Sequence, residues 1–161
     1  MTRTGSAAKP SDPAVRLVPP RDAADPGWLA QRLLLWPEDD AAAHLRGMAV
    51  ALARGDFVRL AASAQGSVLG FAEAALRRDN VNGTTSSPVA FLEGPFVTDG
   101  ARRQGIARAL VDAVAAWAVG AGCRELASDS LLDNTAAHAA HHALGFSETE
   151  RVVYFLRPLV R

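Results

Sequence analysis

The sharpest pattern in the sequence is the basic, glycine-containing segment Arg102-Arg103-Gln104-Gly105-Ile106-Ala107, which separates an apolar strand from a strongly periodic helix. The run from Val89 to Val97 predicts the strand, and Gly94-Pro95 within it predicts a bulge or a splay. Apolar residues at helical spacing predict the helix, which ends before Gly122: Ile106, Leu110, Val114, Trp117 and Ala121. This strand–turn–helix unit is the most constrained part of the chain.

The start of this helix has the features of an anion site. First-turn amides have no partner within a helix, and the helix dipole favours an anion at that end. Gly105 and Ala107 let a phosphate approach the backbone, and Arg102, Arg103 and Arg108 add charged donors. An ordinary basic helix start with a packing glycine explains the same residues. Neither G-x-x-x-x-G-K-[ST] nor G-x-G-x-x-G occurs, which argues against a P-loop or a Rossmann site.

The remaining patterns predict a mixed α/β domain over residues 15–161, preceded by a disordered tail over residues 1–14. Proline, glycine and acidic residues delimit predicted helices at 26–36, 38–53, 106–121 and 134–145. Predicted strands lie at 15–18, 57–64, 67–76, 89–97, 124–128 and Val152–Leu156. The order is therefore strand, two helices, three strands, helix, strand, helix, strand.

Composition excludes several classes of protein. Lys+Arg and Asp+Glu both count 17, so the chain has no basic footprint for nucleic acid. Lys9 is the only lysine, and nearly all positive charge is arginine. No apolar run approaches the ~18–20 residues of a membrane span, and the start lacks the apolar core of a secretion signal. With one cysteine, Cys123, the chain needs no oxidising compartment, and we expect a cytoplasmic protein.

Two spaced motifs resemble the cofactor segments of the GNAT N-acetyltransferase superfamily. They are Arg102-x-x-Gly105-x-Ala107 and, downstream, Asn134-x-x-Ala137 followed by Gly145-Phe146. The resemblance implies acetyl-CoA as cosubstrate and a central mixed, mostly antiparallel sheet, splayed at the fourth strand and flanked by four helices. The cofactor-binding residues that it implies are Pro95, Phe96, Val97, Arg103, Gln104, Gly105, Ile106, Ala107, Arg108 and Asn134.

Further segments resemble bacterial aminoglycoside 6′-N-acetyltransferases, almost continuously from Gly70 to Leu156. They include Leu35-Trp36-Pro37, Asp79-x-Val81-Asn82-Gly83, Ser86-Ser87-Pro88, Phe91-Leu92-Glu93-Gly94, Ala127-Ser128-Asp129 and Glu148-Thr149-Glu150-Arg151. The resemblance implies transfer of an acetyl group to the 6′-amine of a kanamycin- or tobramycin-like aminoglycoside. It also implies a homodimer, with exchange of the C-terminal strand as one arrangement.

Residue by residue, this resemblance implies substrate contacts by Trp36, Asp39, Asn80, Glu93, Asp129 and Glu150. An aminoglycoside carries several ammonium groups, so its site needs carboxylates even in a neutral protein. Its amine must lose a proton before it attacks, and Glu93, beside the predicted splay, is the preferred base, with Asp129 as the second acidic group. A strand-edge carboxylate and a helix-capping aspartate are the plainer interpretations of Glu93 and Asp129.

The chain departs from many GNAT enzymes at His141, where they place a tyrosine that protonates the departing thiolate. Histidine can supply a proton near neutral pH, so His141 is a candidate acid, although His138-x-x-His141-His142 also fits a polar helix face. His138 and His142 lack a further ligand pattern, and we expect no metal site. Cys123 fits a small buried residue better than a nucleophile.

Two other functions stay open at this point. One is a GNAT enzyme that acetylates a different amine, such as a polyamine, a peptide N-terminus or a lysine. The other is a catalytically idle module that binds CoA. Trp36-Pro37 and the acidic residues favour the antibiotic substrate over the first, and Glu93 with Asp129 argues against the second.

Overall fold

The structure is a computed structural model, and it describes residues 14–159 as five strands and four α-helices. The strands are β1 (Val15–Val18), β2 (Phe57–Ser63), β3 (Val68–Arg77), β4 (Val89–Val97) and β5 (Leu126–Ser128). The helices are α1 (Pro26–Leu35), α2 (Ala41–Arg54), α3 (Ile106–Gly120) and α4 (Thr135–Ala143), and one 3₁₀ turn spans Asp99–Ala101. The elements predicted before residue 145 are confirmed, with small shifts at their ends.

The strands form one sheet in the order β1-β2-β3-β4-β5. Each of the first four strands runs antiparallel to its neighbour, whereas β5 runs parallel to β4. A parallel pair needs a crossover, and α3 provides it. The mixed, mostly antiparallel sheet with four helices is therefore confirmed.

Local signals in the sequence set the helix ends that border the site. Asp25 caps α1 by accepting the N–H groups of Gly27 and Trp28. Asp40 caps α2 in the same way, and Gly55 ends that helix in the left-handed conformation, at φ 75°. The short connection between the two helices places Trp36 at the C-cap of α1.

The sheet is covered on both faces by apolar packing. Leu110 and Val114 of α3 are fully buried in a cluster with Ala72 of β3 and Leu92 of β4. A separate cluster, formed with α1 and α2, includes the fully buried residues Trp28, Met48 and Phe71. Burial of this apolar surface fixes α1, α2 and α3 relative to β3 and β4.

The pairing of β3 with β4 is irregular at Glu93, one of the predicted site residues. Glu73 pairs with Gly94 and Ala74 with Leu92, so Glu93 is the extra residue of a β-bulge. On its other edge, β4 pairs with β5 only through residues 90–92, while β4 itself continues to Val97. The predicted bulge and the splay at the fourth strand are both present, one directly after the other.

The strand predicted at Val152–Leu156 is wrong, since residues 146–159 contain no helix or strand. Its β-branched and aromatic residues favour a strand, but a strand needs a neighbour for its N–H and C=O groups, and the described sheet offers it none. Its apolar side chains are left exposed, with Phe155 at 93%. Apart from Ala14, the tail predicted at 1–14 lies outside the described residues.

Candidate active site

Two adjoining cavities lie beside the strands β3 and β4, the first next to α1 and α2 and the second next to the end of α2 and residues 78–81. The first, of about 390 Å³, brings together three of the predicted substrate residues, Trp36, Asp39 and Glu93. The second, of about 530 Å³, is lined by Asn80 and again by Glu93. Glu93 and Arg54 belong to both linings, so the two cavities form one cleft with Glu93 at their junction.

Trp36 forms an aromatic wall of this cleft. Its ring meets Phe71 edge-on, with 6.0 Å between centroids, and the guanidinium carbon of Arg32 lies 4.7 Å from its centroid. A Cβ at Gly94 would lie 2.8 Å from Trp36 and 2.7 Å from Leu35, so this close approach requires glycine. Because Gly94 directly follows the bulge, the wall is fixed in place relative to the backbone of Glu93.

Arg32, which packs on the Trp36 ring, forms a buried ion pair with Glu73 that the local sequence patterns did not predict. Arg32 Nη1 donates to the Glu73 oxygens at 2.6 and 2.5 Å, and Trp28 Nε1 donates to Oε1 at 2.5 Å. Burial raises the pKa of the Glu73 carboxyl, while the charge and hydrogen bond of Arg32 act in the opposite direction. An acidic residue inside the apolar run 67–76 was the available signal, because buried charges need partners.

Glu93 itself is bound by an arginine that the sequence analysis did not single out. Arg77 Nη2 donates to Oε1 at 2.9 Å and to Oε2 at 3.1 Å. The guanidinium carbon of Arg77 lies 3.6 Å from the centroid of the Phe91 ring, which is a cation–π contact. The candidate base is therefore part of an ion pair in the free chain.

The predicted phosphate segment has open space beside its glycine. Arg103 and Gly105 adopt positive φ angles of 58° and 81°, and a Cβ at Gly105 would meet no atom within 4 Å. An anion can therefore approach the first-turn amides of α3. The Arg102 side chain is engaged within the protein, since it donates to the Val97 carbonyl at 3.1 Å and pairs with Asp99 at 2.8 Å.

The other predicted cofactor residues lie on the two sides of the splay. Residues 95–97 form the end of β4 beyond its pairing with β5. Arg108 Nη2 donates to the Ala143 carbonyl at 2.5 Å, which ties α3 to α4. Asn134 Oδ1 accepts the N–H of Ala137 at 3.0 Å and so caps α4. The first cofactor motif thus begins α3 after the end of β4, the second caps α4 after β5, and the Arg108 contact ties the two helices together.

His141 lies where β4 and β5 stop pairing. Its Nε2 is 2.9 Å from Ser128 Oγ, which donates to the Leu92 carbonyl at 3.1 Å, and Leu92–Ser128 is the last pair of the two strands. Its Nδ1 is 2.7 Å from the Ala137 carbonyl, a contact that requires a proton on Nδ1. With both ring nitrogens engaged, His141 reaches the splay through the Ser128 hydroxyl.

Asp129 and Glu150 do not line either cavity of the cleft. Asp129 is exposed directly after β5, and Glu150 accepts a backbone N–H of the polar loop 79–88 at 3.1 Å. Glu125 accepts two more N–H groups of that loop, at 3.0 and 2.7 Å. The loop that carries Asn80 is thereby held between the start of β5 and the segment after α4.

Within residues 14–159, no three His, Cys, Asp or Glu side chains are grouped so that they could hold a metal ion. His138 and His142 instead contact backbone carbonyls, at 3.0 and 3.2 Å. Cys123 is buried, as predicted. In the same part of the chain, no helix has the length and hydropathy of a membrane span.

Comparison with known proteins agrees with this geometry. Residues 24–146 match the model of the Acetyltransferase (GNAT) family. The chain is 52% identical over 149 residues to aminoglycoside N(6′)-acetyltransferase type 1 of Stenotrophomonas maltophilia, covering 92% of this chain and 95% of that protein.

Two solved structures extend the comparison. The aminoglycoside antibiotic 6′-N-acetyltransferase AAC(6′)-Ih from Acinetobacter baumannii has a TM-score of 0.86 and 44% identity, covering 91% of this chain and 99% of that one. AAC(6′)-Iy, in complex with the bisubstrate analogue CoA-S-monomethyl-acetylneamine, has a TM-score of 0.81 and 40% identity, covering 90% and 97%. The resemblance carried by the two cofactor motifs is therefore confirmed, and the chain belongs to the GNAT family of acetyltransferases.

Proposed function

We propose that the protein transfers the acetyl group of acetyl-CoA to the 6′-amine of aminoglycosides. The observation that carries this proposal is the position of Glu93, the extra residue of the β4 bulge, at the junction of the two cavities and beside Trp36. Residues 95–97, which follow after Gly94, lie beyond the last pair of β4 with β5. The names of the relatives supply the substrate class.

Glu93 is the proposed base. The substrate amine arrives as an ammonium, which must lose a proton before it can attack the thioester carbonyl. Glu93 accepts that proton directly or through a water molecule, and its side chain, 34% exposed, is open to both. Attack by the neutral amine forms the C–N bond, and the C–S bond then breaks with its electron pair left on the sulfur. The nitrogen releases its second proton to water as the amide forms. Backbone groups of residues 95–97 are proposed to orient and polarise the carbonyl.

His141 is the proposed source of the proton for the departing thiolate. It acts through the Ser128 hydroxyl: the His141 imidazolium gives its Nε2 proton to Ser128 Oγ, 2.9 Å away, while the hydroxyl proton leaves the Leu92 carbonyl for the sulfur. The ring is then neutral and keeps its Nδ1 proton on the Ala137 carbonyl. Direct transfer between the two substrates then needs no acyl-enzyme, and the buried Cys123 has no part in it.

The remaining carboxylates are proposed to bind the other ammonium groups of the substrate. Asp39 lies in the cleft with Trp36, whereas Asp129, the second acidic group, follows β5 and Glu150 follows α4, outside the two cavities. Asn80 is proposed to contact the sugar from the loop that Glu150 helps to hold. The charge of these residues suits a polycation.

Acetyl-CoA is proposed to lie with its pyrophosphate over residues 103–108. The open space at Gly105 and the free first-turn amides of α3 support this placement. Asn134 would border the cofactor on the other side of the splay. Since acetyl-CoA is the donor, we also propose that the protein works in the cytoplasm.

A homodimer is proposed on the basis of the C-terminal segment. Val153, Tyr154, Phe155 and Leu156 are 75–93% exposed, and β5, with three residues, is one of the two edge strands of the described sheet. Exchange of this segment between two copies would supply both with a strand neighbour and would bury these side chains. Light scattering after size exclusion should give twice the mass of one chain, and a monomer at micromolar concentration would contradict the proposal.

The substrate is tested by measuring CoA release over a panel of aminoglycosides with and without a 6′-amine. Tobramycin and kanamycin A should be acetylated at the 6′ nitrogen, whereas paromomycin, which has a 6′-hydroxyl, should react little. Mass spectrometry and NMR of the product locate the acetyl group. Acetylation of ring amines, or turnover of polyamines, peptides or lysine instead, would refute the assignment. CoA binding without turnover of any amine would indicate an idle binding module.

A further inference from the structure

Arg77 holds the Glu93 carboxylate against a buried aromatic ring. Its Nη2 bonds both oxygens, at 2.9 and 3.1 Å, and its guanidinium rests on Phe91, which is only 6% exposed. Arg77 of β3 pairs with Val89 of β4, whereas Glu93 lies four residues farther along β4. The Arg77 side chain therefore extends along β4 toward the bulge. The guanidinium that binds Glu93 is therefore supported by a buried ring, although the Arg77 side chain as a whole is 42% exposed.

Glu93 needs such support because of its place in the fold. It is the unpaired residue of the bulge, and its side chain is 34% exposed, so neither the strand register nor packing selects one rotamer. Glu73, one pair away, differs in that its side chain is 7% exposed and is bonded by both Arg32 and Trp28. For Glu93, the contact with Arg77 is the restraint that the described residues provide.

The geometry of this contact leaves the carboxylate able to act. One nitrogen bonds both oxygens, so it sits between them and leaves the outer lone pairs free for an amine or a water molecule. The guanidinium stays protonated in proteins, so Arg77 cannot take the proton itself. It can only hold the group that does.

We propose that Arg77 is a positioning residue for the base Glu93. Its guanidinium, which rests on the Phe91 ring, binds the carboxylate at the edge of the cleft and restrains its rotation. The inference rests on the proposed function, in which Glu93 accepts the proton of the substrate amine. It predicts opposite effects on the chemical step and on binding. Loss of Arg77 frees the carboxylate to rotate and slows proton transfer, yet it also removes a positive charge that repels a polycation.

The experiment compares Arg77→Gln with the wild type in steady-state kinetics and in calorimetric binding of tobramycin to the CoA-bound protein. We expect kcat to fall by about 10–100-fold, the range that misplacement of a catalytic group produces. The tobramycin Kd should stay the same or decrease. A variant with damaged folding would weaken binding as well.

Three variants make the result decisive. Arg46→Gln removes the same charge from an exposed position on α2 outside the cleft and should leave kcat and Kd unchanged. Arg77→Lys keeps the cation without the planar stack and should recover part of kcat. In a Glu93→Gln background, Arg77→Gln should cause no further loss of kcat, because the group that it positions is absent.

A wild-type kcat in Arg77→Gln, or an equal loss in the Glu93→Gln background, would overturn the inference. A wild-type protein that acetylates no aminoglycoside would instead overturn the proposed function, so the two failures are distinguishable.

Discussion

Replacing Gly94 with alanine is expected to displace the aromatic wall without changing any charge. The added methyl would lie 2.8 Å from Trp36 and 2.7 Å from Leu35, whereas ordinary contact begins at 3.4 Å, so the ring must move by about 0.6 Å. Phe71 and the Arg32 guanidinium pack on the ring and resist this movement. Overpacking of this kind costs about 1–3 kcal/mol. In a chain of this size, each kcal/mol lowers Tm by roughly 2–4 °C.

The same shift is expected to raise the KM for the aminoglycoside, because Trp36 lines the cleft, while the KM for acetyl-CoA should change little. Thermal unfolding followed by circular dichroism and two-substrate kinetics measure both effects. Gly120→Ala is the matched control, since a Cβ there meets no atom within 4 Å. A Gly94→Ala protein with the wild-type Tm and the wild-type aminoglycoside KM would refute the close contact between β4 and Trp36.

Three further predictions concern the cofactor segment, the base and a helix cap. Gly105→Val should weaken CoA binding strongly, because a branched side chain enters the space open to the phosphates, and unchanged affinity by calorimetry in a folded variant would contradict this. Glu93→Gln should lower kcat by about 10²–10⁴-fold, whereas Asp129→Asn should mainly raise the aminoglycoside KM; a wild-type kcat in the first would show that the amine loses its proton elsewhere. Burial raises the pKa of Asp25, but hydrogen bonds from the backbone and from Arg21 outweigh it and leave that pKa lowered from 3.8. Asp25→Ala should therefore cost about 1 kcal/mol at neutral pH, a difference that should shrink as pH falls below 3.8 and that urea unfolding at several pH values would detect.

Sequence reasoning found those parts of the site that depend on local backbone chemistry. Gly94-Pro95 predicted an irregular strand, and Gly105 predicted a helix start open to a phosphate, because such residues report on their own conformation. Which residue becomes the extra one of the bulge depends on the register against β3, and the sequence does not state that register. The family resemblance, together with its place beside Gly94-Pro95, therefore identifies Glu93, and its pairing with β3 does not.

The long-range partners were beyond the reach of local patterns. Arg32 and Glu73 are 41 residues apart, and only the packing of α1 on the sheet brings them together. Arg77 pairs with Glu93 because β3 and β4 are neighbours. The error at Val152–Leu156 has the same origin, since composition indicates that a segment can form a strand but not whether a neighbour is present.

Three carboxylates that line the cleft form ion pairs with arginines that also line it. The pairs are Arg32–Glu73, Arg54–Asp56 and Arg77–Glu93. A guanidinium stays protonated and has no lone pair with which to attack a thioester, whereas a lysine that loses its proton is a primary amine. Lysine at these positions would set a second nucleophile beside the substrate in an enzyme that activates amines. Lys9 is the only lysine of the chain, and it lies outside the described residues. Because the cations of these three ion pairs are guanidinium groups, the acetyl transfer that the cleft promotes does not modify them.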